Sequence, residues 1–380
     1  MPAEINTFRK NHLTNILNLF VQPTCPLDLF LAGYFRAHKA IGSKDRRFIS
    51  DTAYGIIRWQ GLIDHFLKDP ISWQARIDTF LSLKPESHLQ NPLLPPHVKV
   101  SFPKLFYDLL SEYLGEELAK DFCFTSNFPA PTTVRVNTLK TTRASLLERW
   151  TPIHQVSPTT VSPYGILFHR KVNFLELPEF KEGLFEIQDE ASQLITDLVR
   201  AQPGQLVLDF CAGSGGKTLG FAHKLAKRGQ IYLHDIRSRA LTEARKRLAR
   251  AGIQNAQILL NADLYKRGLQ GKMDWVLIDA PCSGTGTLRR NPDMKWKFQI
   301  DHLQQLIELQ RTIVSEALTF LKPGGHCVYA TCSILPQEND QQLDFFLNHF
   351  PLELVETPLR TFPQKGAMDG FFGVILRKTL

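Results

Sequence analysis

The chain has 380 residues, enough for two or three domains with separate cores, and its 43% hydrophobic and 22% charged residues are ordinary globular values. Lys and Arg outnumber Asp and Glu by 45 to 37, a net charge of +8 that favours a polyanionic partner without requiring one. The sequence has no apolar run of about 18 residues and no charged-then-apolar leader, and its six cysteines lack CxxC or zinc-finger spacing, which argues against a membrane span, export, a disulfide framework or a structural metal.

A cytoplasmic protein with reduced thiols is therefore expected, a monomer by default. In chain order, Leu27, Phe30, Leu31 and Tyr34, then Ile49, Ala53, Ile56 and Ile57, recur at helical spacing, which predicts two or three amphipathic helices in a helical domain over 1–125. GSKDRR at 42–47, near Arg36, His38 and Lys39, reads as a basic patch between those helices, either facing phosphates or simply solvated. Pro85, Pro92, Pro95, Pro96 and Pro103 mark 84–103 as a linker, with short helices following over 104–123.

Residues 126–182 read as a small α/β module. PTTVRVNTLK at 131–140 alternates as a strand, TTRASLLERW is a capped helix start, and GILFH and FLEL look like further strands. Arg135, Asn137 and Lys140 are either nucleic-acid contacts or ordinary polar strand positions. From 183 to 380, strand and helix alternate as in a doubly wound sheet, with strands at 205–210, 230–234, 256–260, 274–279, 326–331, 352–356 and 371–377.

Two motifs, DAPCSGTG at 279–286 and TCS at 331–333, each directly follow an apolar run that reads as a buried parallel strand. Ligands of open α/β sheets bind beyond the carboxyl ends of the strands, so Cys282 and Cys332 are placed to work as a pair. An earlier strand, LVLDF, runs into the glycine-rich turn Cys211, Ala212, Gly213, Ser214, Gly215, Gly216, Lys217. Cys211 stands where a P-loop needs glycine, and no third glycine follows at 218, so neither a P-loop nor a dinucleotide fingerprint is present. A short turn after an acidic strand end, with Asp235 and Asp263 ending the next two strands, fits S-adenosylmethionine, Asp235 taking the ribose hydroxyls and Asp263 the adenine amino group. Arg289, Arg290, Lys295, Trp296 and Lys297 form a basic, aromatic stretch suited to phosphates around an extruded base, whereas the arginines between Arg237 and Arg250 read as a contact surface or a solvated face.

These pieces, RVNTLK, IQDEAS, DFCAGSGGKT, HDI, NAD, DAPCSGTGTLRRNPD, YATCSI with QEN, and DGFF, together resemble the Nol/Nop/Sun family of RNA cytosine-5 methyltransferases. The opening GSKDRRFI and YGIIRW resemble the NusB-like RNA-binding domain of its bacterial ribosomal RNA members. The resemblance implies a Rossmann-like S-adenosylmethionine-dependent methyltransferase sheet, preceded by an RRM-like α/β module and the helical domain. It implies Cys332 as nucleophile, Cys282 assisting release and Asp279 bonding the cytosine ring and contributing to the cofactor site. Ribosomal RNA is the expected substrate. Transfer RNA, a DNA cytosine methyltransferase with the Pro-Cys cysteine as nucleophile, and a non-catalytic RNA-binding assembly factor are the competing readings. One departure is chain-specific: the family usually carries Ala-Ala-Pro-Gly-Gly-Lys in the turn, and the proline is replaced here by Ser214, which is expected to loosen the turn.

Overall fold

The computed structural model describes residues 5–20, 25–260 and 268–379. Two compact units emerge, Met1–Pro129 with Thr287–Phe298, and Ala130–Gly286 with Gln299–Leu380.

The first unit is helical. Its longest helix, Ser43–His65, turns Ile49, Ala53, Ile56, Ile57, Leu62 and Ile63 into a core shared with Leu13, Ile16 and Leu17 of helix Thr7–Leu19, an element that lies ahead of the predicted pair. GSKDRR is not an inter-helix segment: Gly42 is the N-cap and Ser43 to Arg47 already turn as helix. The Pro-rich stretch is not a linker either. Pro85 and Pro96 each open a one-turn helix, the position where a missing N–H costs nothing. Val100, Ser101 and Phe102 behind them are fully buried, and the Ser101 hydroxyl accepts from the Gly61 N–H at 2.9 Å.

The second unit holds two sheets. The smaller is antiparallel, with strands β1 (Thr132–Val136), β2 (Val156–Pro158), β3 (Gly165–Phe168) and β4 (Phe185–Ile187) in the order β2-β3-β1-β4. Helix Arg143–Trp150, capped by the Thr142 side chain, packs Leu146 and Trp150 against Val134, Ile166 and Phe185. The strand expected at FLEL is instead a single 3-10 turn, Phe174–Glu176: Phe174 and Leu177, three apart, face the core while Leu175 is exposed, and Pro178 follows at once. Since β4 pairs with β1, the module runs past the expected boundary at 182.

The larger sheet comprises β5 (Leu206–Asp209), β6 (Gln230–His234), β7 (Ala256–Leu259), β8 (Met273–Asp279), β9 (Leu321–Thr331), β10 (Leu352–Leu354), β11 (Leu359–Thr361) and β12 (Phe371–Lys378). Its order is β10-β12-β9-β8-β5-β6-β7, with β11 paired to β12; β5 to β9 run parallel and β12 is reversed beside β9. Alternate residues feed two cores, Val207, Leu277, Val328 and Ala330 on one face and Leu208, Val276, Ile278 and Tyr329 on the other. Because β5, β6, β8 and β9 are in register, their carboxyl ends bring Asp209, Asp235, Asp279 and Cys332 to one edge.

Candidate active site

A cleft of about 1230 Å³ opens at that edge. Cys211, Ala212, Gly213, Ser214, Gly216 and Lys217 line one end, with Asp235, Ile236 and Arg237 beside them; Asp279, Pro281, Cys282 and Cys332 line the other. Gly215 does not line it. At φ +77° it turns the chain away, and a Cβ there would meet Ala244 at 3.3 Å, so its part is packing rather than ligand contact.

Asp235 is the pivot of the cofactor end. Its Oδ2 accepts from the Gly213 N–H at 2.7 Å and from Arg237 Nη2 at 3.0 Å; its Oδ1 accepts from Arg237 N at 2.8 Å and Nε at 3.0 Å. Burial works to raise its pKa, but these bonds outweigh it and hold the carboxyl below its ordinary value. Lys217 forms an ion pair with Asp279 Oδ2, fixing the carboxylate on the cleft floor. Behind the turn, buried Asp209 accepts from Thr218 Oγ1 at 2.6 Å, and burial pushes its carboxyl up to about 7.

The turn is held from outside by the smaller sheet. Arg135 on β1 donates to Gly216 O at 3.2 Å and to Gln188 Oε1 at 2.6 Å, and Gln188 donates to the same carbonyl at 3.3 Å. Glu186 on β4 anchors Arg247 and Arg250, and Arg247 Nη1 reaches Ser214 Oγ at 2.7 Å and Ser214 O at 3.0 Å. Asn137 bonds Gly183 O and Ala251 O, and Lys140 bonds Glu182 O and Arg250 O. Of the two readings left open for Arg135, Asn137 and Lys140, these bonds favour a structural role.

At the far end the two sulfurs lie 3.3 Å apart. The bond to Cys332, with burial and the nearby Glu338 charge, pushes the Cys282 thiol well up. Burial likewise raises Cys211, whose neighbours Asp209, Asp279 and Asp235 are all acidic, and Cys327 is pushed up to about 12 by burial alone. A raised thiol is a poor nucleophile, so neither competes with the pair.

Two sequence patterns describe what these residues belong to. That of 16S rRNA methyltransferase RsmB/F matches residues 196–377, and that of the RsmF/B-like ferredoxin-like domain matches 102–174. The chain is 37% identical over 265 residues to ribosomal RNA small subunit methyltransferase B of Vibrio cholerae, covering 67% of this chain and 60% of that one. The Pseudomonas putida protein of the same name is 33% identical over 290 residues, covering 73% and 66%. The chain belongs to the RsmB/F methyltransferase family. It spans between 49% and 67% of the length of the curated relatives it matches. Its fold is that of solved relatives: a methyltransferase homologue from Pyrococcus horikoshii aligns with a TM-score of 0.66 at 28% identity, over 78% of this chain and 100% of that one. The crystal structure of PH0851 aligns with a TM-score of 0.82 at 24% identity over 99% and 100%.

Against the RsmB/F pattern, the basic segment needs correction. Lys295 is 1% exposed, and its Nζ donates to Arg58 O and Ser101 O at 2.7 Å and to Asn127 Oδ1 at 2.5 Å. Trp296 Nε1 donates to Ile57 O at 2.7 Å, the Arg289 carbonyl accepts from Arg58 at 3.0 Å, and the Arg289 side chain is buried. The Lys295 and Trp296 side chains tie the first unit together, and the buried Lys295 and Arg289 side chains are not open to phosphates; Arg290 is half-buried. Asp263 lies outside the described residues. Two contributors escaped the sequence reading. Ile236 is 82% exposed and presents an apolar side chain to the cleft beside Asp235, and the signal was its place in HDI directly after the strand. Glu338, fully buried within QEN, bonds the loop that carries Cys282.

Proposed function

We propose that this protein transfers the methyl group of S-adenosylmethionine to carbon 5 of a cytosine in ribosomal RNA. The observation that carries the reading is the pair of thiols 3.3 Å apart in a cleft whose opposite end is a glycine-rich turn beside a carboxylate. The cofactor fits the residues present: the volume exceeds that of a nucleoside, Asp235 offers carboxylate oxygens to a diol, and Gly213 and Gly216 leave the backbone open to close approach. When bound, it supplies the electrophilic methyl.

The chain's own residues supply the activation. The Cys332 thiolate adds to carbon 6, and the ring electron pair moves to carbon 5, which is thereby made nucleophilic. Asp279, oriented by Lys217, bonds ring nitrogen 3 and the amino group as charge develops there. After methylation the C5–H electron pair closes the ring double bond and the C6–S pair returns to Cys332. Cys282 takes the carbon 5 proton while handing its own to the departing sulfur. Both cysteines end as thiols and the balance closes. A net charge of +8 supports an RNA partner.

The test is product analysis. Purified protein is given methyl-labelled S-adenosylmethionine with 16S rRNA, transfer RNA or DNA, and the polymers are digested to nucleosides. Label in 5-methylcytidine from 16S rRNA is expected. Label confined to transfer RNA, to DNA or to another base overturns the assignment.

A further inference from the structure

Both peptide neighbours of Cys282 are pinned by one buried polar cluster. On one side, Gln310 Nε2, from helix Ile300–Leu318, donates to Pro281 O at 3.0 Å. On the other, the Ser283 N–H donates to Glu338 Oε1 at 2.8 Å and the Ser283 hydroxyl to Glu338 Oε2 at 2.5 Å. Gln310 Nε2 also donates to Glu338 Oε1 at 3.0 Å, and the Tyr329 hydroxyl to the Glu338 carbonyl at 2.8 Å. The chain running on from Cys332 closes the cluster: Thr331 Oγ1 donates to Asn339 Oδ1 at 2.6 Å, Asn339 Nδ2 to Ser333 O at 3.0 Å, and the Gly286 N–H to Cys332 O at 2.9 Å. One segment thus sets the position of both sulfurs.

Glu338 is wholly buried and forms no ion pair among the described residues. A carboxylate held only by neutral donors is expensive to bury, and a neutral glutamine would accept the Ser283 N–H and Gln310 bonds on its one oxygen and keep the third contact by donating its amide to the Ser283 hydroxyl. Tethering the loop therefore leaves the choice of an acid unexplained. What an acid adds is a negative charge one residue from a sulfur, and that charge opposes ionisation of the Cys282 thiol.

We propose that Glu338 is a positioning residue for methyl transfer: bonded to Ser283 directly and to the Pro281 carbonyl through Gln310, it fixes Cys282 at contact distance from Cys332 with a proton to hand to the departing sulfur. This rests on the two-cysteine reading, in which Cys282 must hold a proton to hand to the departing sulfur. It also gives a reason why two adjacent thiols take different roles.

Thiol titration tests it without asking for product. In a Cys332→Ser background, iodoacetamide labelling of the Cys282 peptide is followed by mass spectrometry across pH, with and without Glu338→Gln. The glutamine variant should move the labelling midpoint to lower pH, and labelling at neutral pH should quicken about tenfold for every pH unit the midpoint falls. An unmoved midpoint overturns the proposal. A second measurement needs no change at 338: Cys282 should label with a higher midpoint than Cys25 in the same digest, and a midpoint at or below that of Cys25 overturns it as well. Failure of the cytosine reading is distinct, since it would leave the lowered midpoint intact while no 5-methylcytidine is formed.

Discussion

Arg247 Nη1 donates to both the side-chain and the carbonyl oxygen of Ser214, at 2.7 and 3.0 Å. Ser214 is the position where the resembling family carries proline, so the constraint lost with the ring is replaced here by a charged hydrogen bond. That bond is anchored in turn, because Glu186 holds Arg247 through Nε at 3.2 Å and Nη2 at 3.0 Å. The expected loosening of the turn is therefore offset from β4. Ser214→Ala removes the side-chain acceptor alone and should weaken S-adenosylmethionine binding by about 1 kcal/mol, roughly fivefold. Calorimetry that finds unchanged affinity would separate the turn from this contact.

Asp235, the carboxylate proposed for the ribose, is already occupied. A carboxylate offers about four lone-pair sites, and Gly213 N with Arg237 N, Nε and Nη2 fill as many. A ribose diol must therefore displace the Arg237 side chain, which is 69% exposed and free to swing into solvent. Asp235→Ala should cost about 1.5 to 3 kcal/mol of cofactor binding, tenfold to a hundredfold. Arg237→Ala should go the other way, leaving affinity equal or tighter. Both affinities are read by titration calorimetry, and loss of binding in Arg237→Ala would make the arginine a ligand rather than a competitor.

The strand-end cysteines and Asp235 were legible because their place follows from local pattern: a buried apolar run, then the residue that ends it. The basic segment was not, because the acceptors that neutralise Lys295 come from Arg58, Ser101 and Asn127, between 168 and 237 residues earlier. Cations beside an aromatic read as a nucleic-acid surface unless those partners are known. The Pro-rich stretch failed for the same reason, since Phe102 is packed by Phe106 and Phe122, which the prolines say nothing about. Glu338 sat in a recognised motif, yet nothing local marks it as a hydrogen-bond hub for a loop 55 residues away.

Lys295 makes a stability prediction in place of an RNA one. Its amine meets three oxygen acceptors in a buried site, and burial drives its pKa well below the ordinary value. Lys295→Met fills the volume but strands those acceptors, and should destabilise the protein by about 3 kcal/mol. The melting temperature should fall, while the slope of RNA affinity against salt stays as in the parent. A changed slope with an unchanged melting temperature would return Lys295 to the RNA surface.

Asp209 gives a pH dependence of fixed sign. Its folded pKa of about 7 lies above the ordinary 3.8, through burial first, with Asp279 and Asp235 adding to it. The folded state thus holds a proton that the unfolded state releases, so the group's contribution is fully present below about pH 4 and is lost as pH rises towards 7. The slope is about 1.4 kcal/mol per pH unit. Asp209→Asn should remove that slope, which is read as the difference in melting temperature between variant and parent at pH 5 and pH 7.5. A difference that does not change with pH would place the Asp209 pKa near its ordinary value.

The two cysteines should fail in opposite ways. Cys332→Ala leaves nothing to add to carbon 6, so both turnover and any covalent link to RNA should vanish. Cys282→Ala still permits attack and methyl transfer, but the proton that the departing Cys332 sulfur needs, supplied from 3.3 Å away, is gone. Elimination should stall, and protein joined to RNA should accumulate as a slower band on a denaturing gel that ribonuclease removes. The DNA-type assignment predicts the reverse pattern, with the adduct in Cys332→Ala and an inert Cys282→Ala. A gel with no adduct in either variant, while the parent still forms 5-methylcytidine, would rule out a stalled covalent intermediate and with it the division of labour between the sulfurs.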